Sequence, residues 1–404
     1  MRTRSSASVR VCGPLAGYAA GFEAELRRRG YTEVSACHHL HLFAQVSRWV
    51  EQAGLDPVEL TAAEVDRFLR ARRAAAPTGP RTERALGPLL DHLRRLGVVP
   101  EPEVATPDGP RERLLERYRT YLLRERGLVA TTVAWYLTVA RLFLDGRTSG
   151  TGLDLAGLDA AEVTGFVLWE SRRRSVGVAK LQVTALRALL RFLHLEGEAP
   201  ALADAVPGVA GWSGAALPQA LEPSQMTRLL ATCDRATAIG RRDHAMLTLL
   251  VRLGLRAGEV AALALDDIDW RRGELSIDGK GDRRERLPLP PDVGEALSAY
   301  LHDGRPGSGC RRVFLRTRAP FDVGLGDGGV KSVVRRACAQ ADVAPAGAHR
   351  LRHTAATEML RAGASLTEVA QVLRHRGLAN TAIYAKVDRV ALRELARPWP
   401  GGAA

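Results

Sequence analysis

Residues 349–354 read His-Arg-Leu-Arg-His-Thr, and residues 373–384 read Leu-Arg-His-Arg-Gly-Leu-Ala-Asn-Thr-Ala-Ile-Tyr. Both stretches concentrate histidine and arginine, and the second ends on a tyrosine, Tyr384. His349 and Arg352 are three apart, a spacing that puts both on one face of a helix. Between the two stretches Leu366, Val369, Ala370 and Leu373 repeat at helical spacing, and Ser365 and Glu368 stand where a capping box would open that helix. Upstream, Glu274–Asp278 and Glu285–Leu289 alternate like two short strands around Gly279-Lys280-Gly281-Asp282, which predicts a hairpin with Lys280 at its turn. Further upstream is Gly254-Leu255-Arg256-Ala257-Gly258-Glu259-Val260, with Arg256 at an expected helix start, where backbone N–H groups favour phosphate. Helical patterns over Gln225–Cys233 and His244–Leu253 precede it. This third of the chain therefore reads as mainly α, α+β, with a small β-sheet.

The first half is organised differently. Pro/Gly-rich stretches at Pro100–Pro110 and Pro207–Pro218 read as linkers. The segments they delimit look like copies of one another. Arg27–Gly30, Gly54-Leu55-Asp56, Ala62-Ala63-Glu64-Val65, Phe68 and Leu89-Leu90 recur in order as Arg124–Gly127, Gly152-Leu153-Asp154, Ala160-Ala161-Glu162-Val163, Phe166 and Leu189-Leu190. The offset drifts from 97 residues (Arg27 to Arg124) to 100 (Leu89 to Leu189). An ordered series of this kind points to tandem duplication of a helical unit of roughly 90 residues. In the second copy Leu186, Leu189, Leu190 and Leu193 form one apolar helix face, and arginines occupy the other faces. Such a face suits a DNA backbone, although an ordinary solvated arginine surface reads the same way.

The 404 residues carry 58 Lys and Arg against 45 Asp and Glu, a formal net charge of +13. That excess favours a polyanionic partner, nucleic acid before an acidic membrane surface. Cys12, Cys37, Cys233, Cys310 and Cys338 are scattered and odd in number, which argues against a disulfide framework or a zinc ribbon and fits a reducing cytoplasm. No apolar run approaches the roughly 18–20 residues of a membrane span. Val11–Phe22 follows a basic start without charge, as a weak signal peptide would. Pro14, three glycines and a polar helix pattern that continues onward argue against that reading.

Taken singly, the chemistry-bearing residues have plain readings. Arg256 can simply pair with Glu259 at i, i+3, and Lys280 can be an exposed turn lysine. His349 and His353 have the spacing of a metal pair but lack a third ligand. His375 can be a structural histidine, and Tyr384 a core aromatic of a short helix. As an ordered set they are more specific. Arg256 in a G-L-R-x-x-E context, Lys280 on a hairpin, His349 and Arg352 in H-x-x-R, and His375 nine residues before Tyr384 resemble the tyrosine recombinases of the phage-integrase family. Arg350 stands where the family often has Asp, and Arg374 where it often has Gly. Neither is a catalytic position there.

The resemblance implies a multidomain chain: all-α, SAM-like DNA-binding units in tandem, followed by the catalytic domain. The expected boundaries are 1–104 for the first unit, 105–206 for the core-binding unit, 207–218 for a linker, 219–397 for the catalytic domain and 398–404 for a tail. The implied catalytic residues are Arg256, Lys280, His349, Arg352, His375 and Tyr384, with no metal and no cofactor. Implied partners are double-stranded DNA and further copies of the chain, a dimer on a site and a tetramer in the synapse, with a directionality factor as a possible accessory. A cytoplasmic, nucleoid-associated location follows, and no membrane. The chemistry explains the residue types. Transesterification at a phosphodiester needs a nucleophile, cations on the non-bridging oxygens and a proton for the leaving oxygen. A phosphotyrosyl ester conserves the bond energy, planar guanidinium groups match phosphate oxygens, and histidines move protons near neutral pH. Two rival readings use the same residues: a type IB topoisomerase-like enzyme that relaxes DNA as a monomer, and a DNA-binding protein without catalysis on the same scaffold. The first helical copy and the segment Asp388–Ala396, which the resemblance would dock into a neighbouring protomer, argue against the first rival. The completeness of the six-residue set argues against the second.

Overall fold

Helices account for most of the chain because apolar residues recur at helical spacing nearly throughout. The computed structural model describes residues 9–75, 83–102, 109–145, 147–149, 152–210, 220–279, 284–374 and 381–385. The chain divides into two compact units, one of Met1–Glu59, Phe68–Val99 and Gly214–Ala404, the other of Leu60–Arg67 and Pro100–Ser213. Most of both Pro/Gly-rich linkers, the lysine of the expected hairpin turn and the segment from 386 onward lie outside the described residues.

Four helices occupy the N-terminal stretch: α1 (Ala19–Arg28), α2 (Glu33–Gln52), α3 (Ala62–Ala75) and α4 (Glu83–Arg95). Thr32 opens α2, its hydroxyl accepting the Ser35 N–H, the usual answer to an unpaired first-turn donor. Phe22 of α1 meets Phe43 of α2 edge to face at 5.5 Å, and Leu89 and Leu93 of α4 are buried as well. Leu15 and Phe22, within the uncharged Val11–Phe22 stretch, are buried in this core. No helix among the described residues is long and apolar enough to cross a membrane.

The other compact unit holds α5 (Gly109–Arg124), α6 (Ala130–Leu144), the two-residue strands β1 (Thr148–Ser149) and β2 (Gly152–Leu153), α7 (Ala160–Ser171) and α8 (Val176–Leu195). A capping box between Asp159 and Glu162 starts α7. Leu186, Leu189, Leu190 and Leu193 of α8 are all buried in one core with Tyr118, Leu137, Phe143 and Val163, as their spacing predicts.

The remaining elements are α9 (Pro223–Ala231), α10 (Ala238–Arg252), α11 (Ala257–Ala262), β3 (Ile268–Asp269), β4 (Glu274–Asp278), β5 (Arg284–Pro288), α12 (Pro291–Asp303), α13 (Asp327–Gln340), α14 (Ala348–Arg361), α15 (Leu366–Val372) and α16 (Ala382–Ala385). The strands form one antiparallel sheet in the order β3-β4-β5, with Leu275 opposite both Ile268 and Leu287. Leu275, Ile277 and Leu287 are buried against the helices, so alternation sets which face turns inward. The capping box of Ser365 and Glu368 opens α15.

Several element limits differ from the sequence expectation, and β3 is an addition to it. β5 ends at Pro288, one residue short of the expected Leu289, although the Leu289 N–H still donates to the Gly273 carbonyl at 2.7 Å in register with the ladder. β3 has two residues, too few for alternation to show. α10 starts six residues early, at a Thr237 cap whose hydroxyl accepts the Gly240 N–H. Its first turns hold Arg242 and Asp243, polar residues that nonetheless are buried. They pair with each other at 2.6 Å, and Asp243 also binds Arg336 of α13. Removing Asp243 would strand the Arg242 guanidinium in the core, so Asp243→Ala should destabilise the fold by about 3–5 kcal/mol. Lys331→Ala, which breaks the exposed Lys331–Asp327 pair, should cost less than about 1 kcal/mol. Urea melts of the two variants check the contrast, and equal losses would contradict it.

Candidate active site

α10 ends and the chain reverses at Gly254, whose φ of 59° is one that a side chain rarely adopts. A Cβ there would also stand 2.6 Å from Leu373. This turn delivers Arg256 to the N-cap of α11. The Arg256 N–H donates to Glu259 Oε2 at 2.8 Å, and its Nη1 donates to Glu259 Oε1 at 2.5 Å. The plain i, i+3 pairing is therefore present. The Arg256 side chain nevertheless stays 43 % exposed while Glu259 is buried, which leaves the guanidinium open to a further anion.

α14 carries His349, Arg352 and His353. Arg352 is 2 % exposed. Its Nη1 donates to the Gly254 carbonyl at 2.7 Å, and its Nη2 to the Leu373 carbonyl. One buried group thus ties the turn before Arg256 to the end of α15. Burial lowers the Arg352 pKa to about 10. Arg256 and Arg374 push the same way, and Glu259 and Tyr384 oppose them. The group remains a cation at neutral pH.

Tyr384, on α16, is 1 % exposed and packs with Ala356, Val369 and Leu373. Its hydroxyl lies 2.8 Å from His353 Nδ1. Burial raises the phenol pKa, and the Arg352 charge pulls it back. The His349 and His353 rings meet edge to face at 4.3 Å. Burial lowers the His349 pKa, helped by Arg352 and Arg256. His353 is lowered to about 4 by burial, then by His349 and Arg352. Both rings are therefore neutral at pH 7. Among the described residues no group of three or more His, Cys, Asp or Glu side chains could hold a metal ion.

Four of the six residues expected from the sequence are thus described: Arg256, His349, Arg352 and Tyr384, linked through Arg352 and His353. Lys280 and His375 lie outside the described residues. Two participants were undervalued by sequence reading. His353, weighed only as half of a metal pair, contacts the tyrosine; its signal was the one-turn spacing from His349. Arg374, set aside as a neutral departure, is buried and bonds Glu259 at 2.6 Å. No local pattern announces a contact spanning 115 residues. Chemically, the arrangement offers two cations, a phenol and two neutral imidazoles, a set able to hold an anionic ester beside a hydroxyl nucleophile.

Residues 219–390 match the model of the phage integrase family. The chain is 42% identical over 396 residues to the putative integrase/recombinase y4rA of Sinorhizobium fredii (strain NBRC 101917 / NGR234), covering 97% of this chain and 96% of that protein. It is 29% identical over 292 residues to the tyrosine recombinase XerD of Listeria monocytogenes serotype 4b (strain F2365), covering 70% and 96%. Among solved structures, a lambda integrase (75–356) dimer bound to a COC′ core site matches 72% of this chain and 98% of its own, with a TM-score of 0.54 and 17% identity. That likeness shows a shared fold.

The neutral histidine makes folding sensitive to acid. His353 resists protonation in the fold down to about pH 4, whereas its ordinary value is 6.5. Between those values the unfolded chain binds the additional proton, so stability rises with pH across that window and is lost on acidification. His353→Gln should flatten the dependence of Tm on pH between 4 and 6.5. Thermal melts at half-unit intervals check this, and an unchanged slope would show that His353 titrates normally in the fold.

Proposed function

The chain belongs to the phage integrase family, and from that premise we propose that it is a site-specific DNA recombinase working through a 3′-phosphotyrosyl intermediate on Tyr384, in the service of a mobile element. The observation that carries this reading is the placement of the Tyr384 hydroxyl beside His353, on the Arg352 anchor that also holds the Arg256 turn.

In this scheme the Tyr384 oxygen attacks the scissile phosphorus and the bond from phosphorus to the 5′ oxygen breaks. Arg256 and Arg352 bind the non-bridging oxygens, where charge grows in the transition state. Lys280, which the sequence pattern sets at an expected hairpin turn, supplies the proton to the leaving 5′ oxygen. His349 and His375 act as acid–base or hydrogen-bonding groups. The 5′ hydroxyl of a partner strand then attacks the phosphotyrosyl ester, restoring both the phosphodiester and the phenol. Energy is conserved throughout, so no nucleotide cofactor enters.

The two helical stretches serve in this reading as SAM-like DNA-clamping units in tandem. The ordered sequence match and the presence of four helices in each, α1–α4 and α5–α8, support it. Two protomers would occupy one site and four would form the synapse, with a directionality factor as accessory, inside the cytoplasm at the nucleoid. Many cationic contacts to phosphate make binding fall with salt, with a log–log slope of about −0.9 per phosphate neutralised.

The test uses duplexes nicked near the cut so that cleavage is trapped, drawn from DNA flanking the gene's own element, with EDTA present. A covalent protein–DNA band on a denaturing gel is expected with the wild type and not with Tyr384→Phe. Arg256→Ala should lower the rate of its formation by about 10²–10³-fold. An adduct that persists in Tyr384→Phe would overturn the assignment. Relaxation of supercoils by a monomer, without pairing of sites, would favour a topoisomerase-like enzyme instead.

A further inference from the structure

Arg374 occupies a backbone position that suits a residue without a side chain. Its φ is 55°, and among the described residues only Asp342 is another non-glycine with positive φ. Residues held in such strained conformations persist where surrounding contacts over-determine them, and they cluster at functional sites. The Arg374 side chain is 2 % exposed. Its Nη2 donates to Glu259 Oε2 at 2.6 Å and its Nη1 to the Val372 carbonyl at 3.2 Å, while its Nε is buried with no partner among the described residues. A buried cation on a strained backbone is a double cost, and a mere connector between α15 and α16 would need neither.

The partner explains the placement. Glu259 is the carboxylate that holds Arg256 by its backbone N–H and its Nη1. The three side chains therefore form a chain, Arg374 to Glu259 at 2.6 Å and Glu259 to Arg256 at 2.5 Å. Charge decides what this does. A carboxylate bound to Arg256 alone would neutralise it and would repel an incoming phosphate. Shared with a second, inaccessible guanidinium, the same carboxylate still orients Arg256, and Arg256 keeps its attraction for an anion. Arg256, Arg352 and Arg374 against Glu259 leave the cluster with a net charge of +2. Without Arg374 it falls to +1, and the carboxylate is left to one partner. Only Arg256 of the pair bound to Glu259 is exposed enough to meet a phosphate.

We propose that Arg374 is a positioning residue of the phosphate site, acting through Glu259 to hold Arg256 oriented yet electrostatically open. This rests on the recombinase reading above. It assigns Arg374 no contact with DNA.

Single-turnover adduct formation on the nicked duplexes, measured across protein concentrations, separates DNA binding from the maximal rate. Arg374→Gly suits the local φ and removes the cation. It should keep the Tm within a few degrees and the DNA affinity nearly unchanged, while the maximal rate falls by about 100-fold, the scale of a misplaced catalytic group. Arg374→Lys should restore a substantial part of the rate. Adding Glu259→Gln to Arg374→Gly should also recover activity relative to Arg374→Gly alone, because the uncompensated carboxylate is gone. A wild-type maximal rate in Arg374→Gly would overturn the proposal. So would a loss that follows a fall in Tm and that neither Lys nor Glu259→Gln relieves, which would mark Arg374 as scaffolding only. Failure of the wild type to form any adduct would instead sink the recombinase reading, and the proposal with it.

Discussion

The buried guanidinium of Arg352 is the group around which the candidate site is arranged. A cation removed from water is costly unless acceptors surround it. Here the backbone supplies them: the Gly254 carbonyl at the end of α10 and the Leu373 carbonyl at the end of α15. These carbonyls are 119 residues apart in the chain, and each precedes a segment with chemistry on it. The first leads two residues on to Arg256, the second directly into Arg374 and His375. Satisfying one charge therefore ties the turn before Arg256 to the end of α15.

Around that anchor the electrostatics are unbalanced in one direction. Arg256, Arg352 and Arg374 stand against Glu259, and their repulsion adds to the burial that lowers the pKa of Arg352. Both histidines are kept neutral by burial and by the same cations. A cluster with this surplus of positive charge attracts an anion. A phosphodiester would supply that anion, and it would draw the two arginines onto its oxygens at the point where charge develops. The phenol of Tyr384, buried and hydrogen-bonded to His353, has its acidity suppressed by burial, against the pull of the Arg352 charge.

The early helices are part of the same setting. Within the unit that contains Arg352 and Tyr384, the Phe321 N–H donates to the Arg29 carbonyl at 3.0 Å, Arg29 pairs with Asp322 at 3.0 Å, and the Phe321 ring lies where a Cβ on Gly30 would fall. Gly30, with φ of 82°, is thus required both by its backbone and by its neighbour. The end of α1 is consequently joined to the loop ahead of α13 by a hydrogen bond, an ion pair and an aromatic contact.

Local features were readable without coordinates. Periodicity marked α8 and α15, alternation and glycines marked the β4–β5 pair, and the spacing of Ser365 and Glu368 marked a cap, because each depends on residues a few positions apart. The ordered motif also pointed to the family, since its members are separated by characteristic local contexts. What tertiary structure alone decided are the contacts that cross the chain. The sequence pattern starts α10 at His244, yet it begins at Ala238, and its first turns hold the buried Arg242 and Asp243, with Asp243 also bound to Arg336 from 93 residues away. His353 had no role in the sequence reading beyond a metal pair lacking its third ligand, and α16 brings Tyr384 to it across 31 residues. Arg374 looked like a tolerated substitution until packing set it against Glu259. The physical reason is the same in each case: helical and strand patterns are set by neighbouring side chains competing for one interior, whereas the partner of a buried charge is chosen by whichever distant segment packing delivers to it.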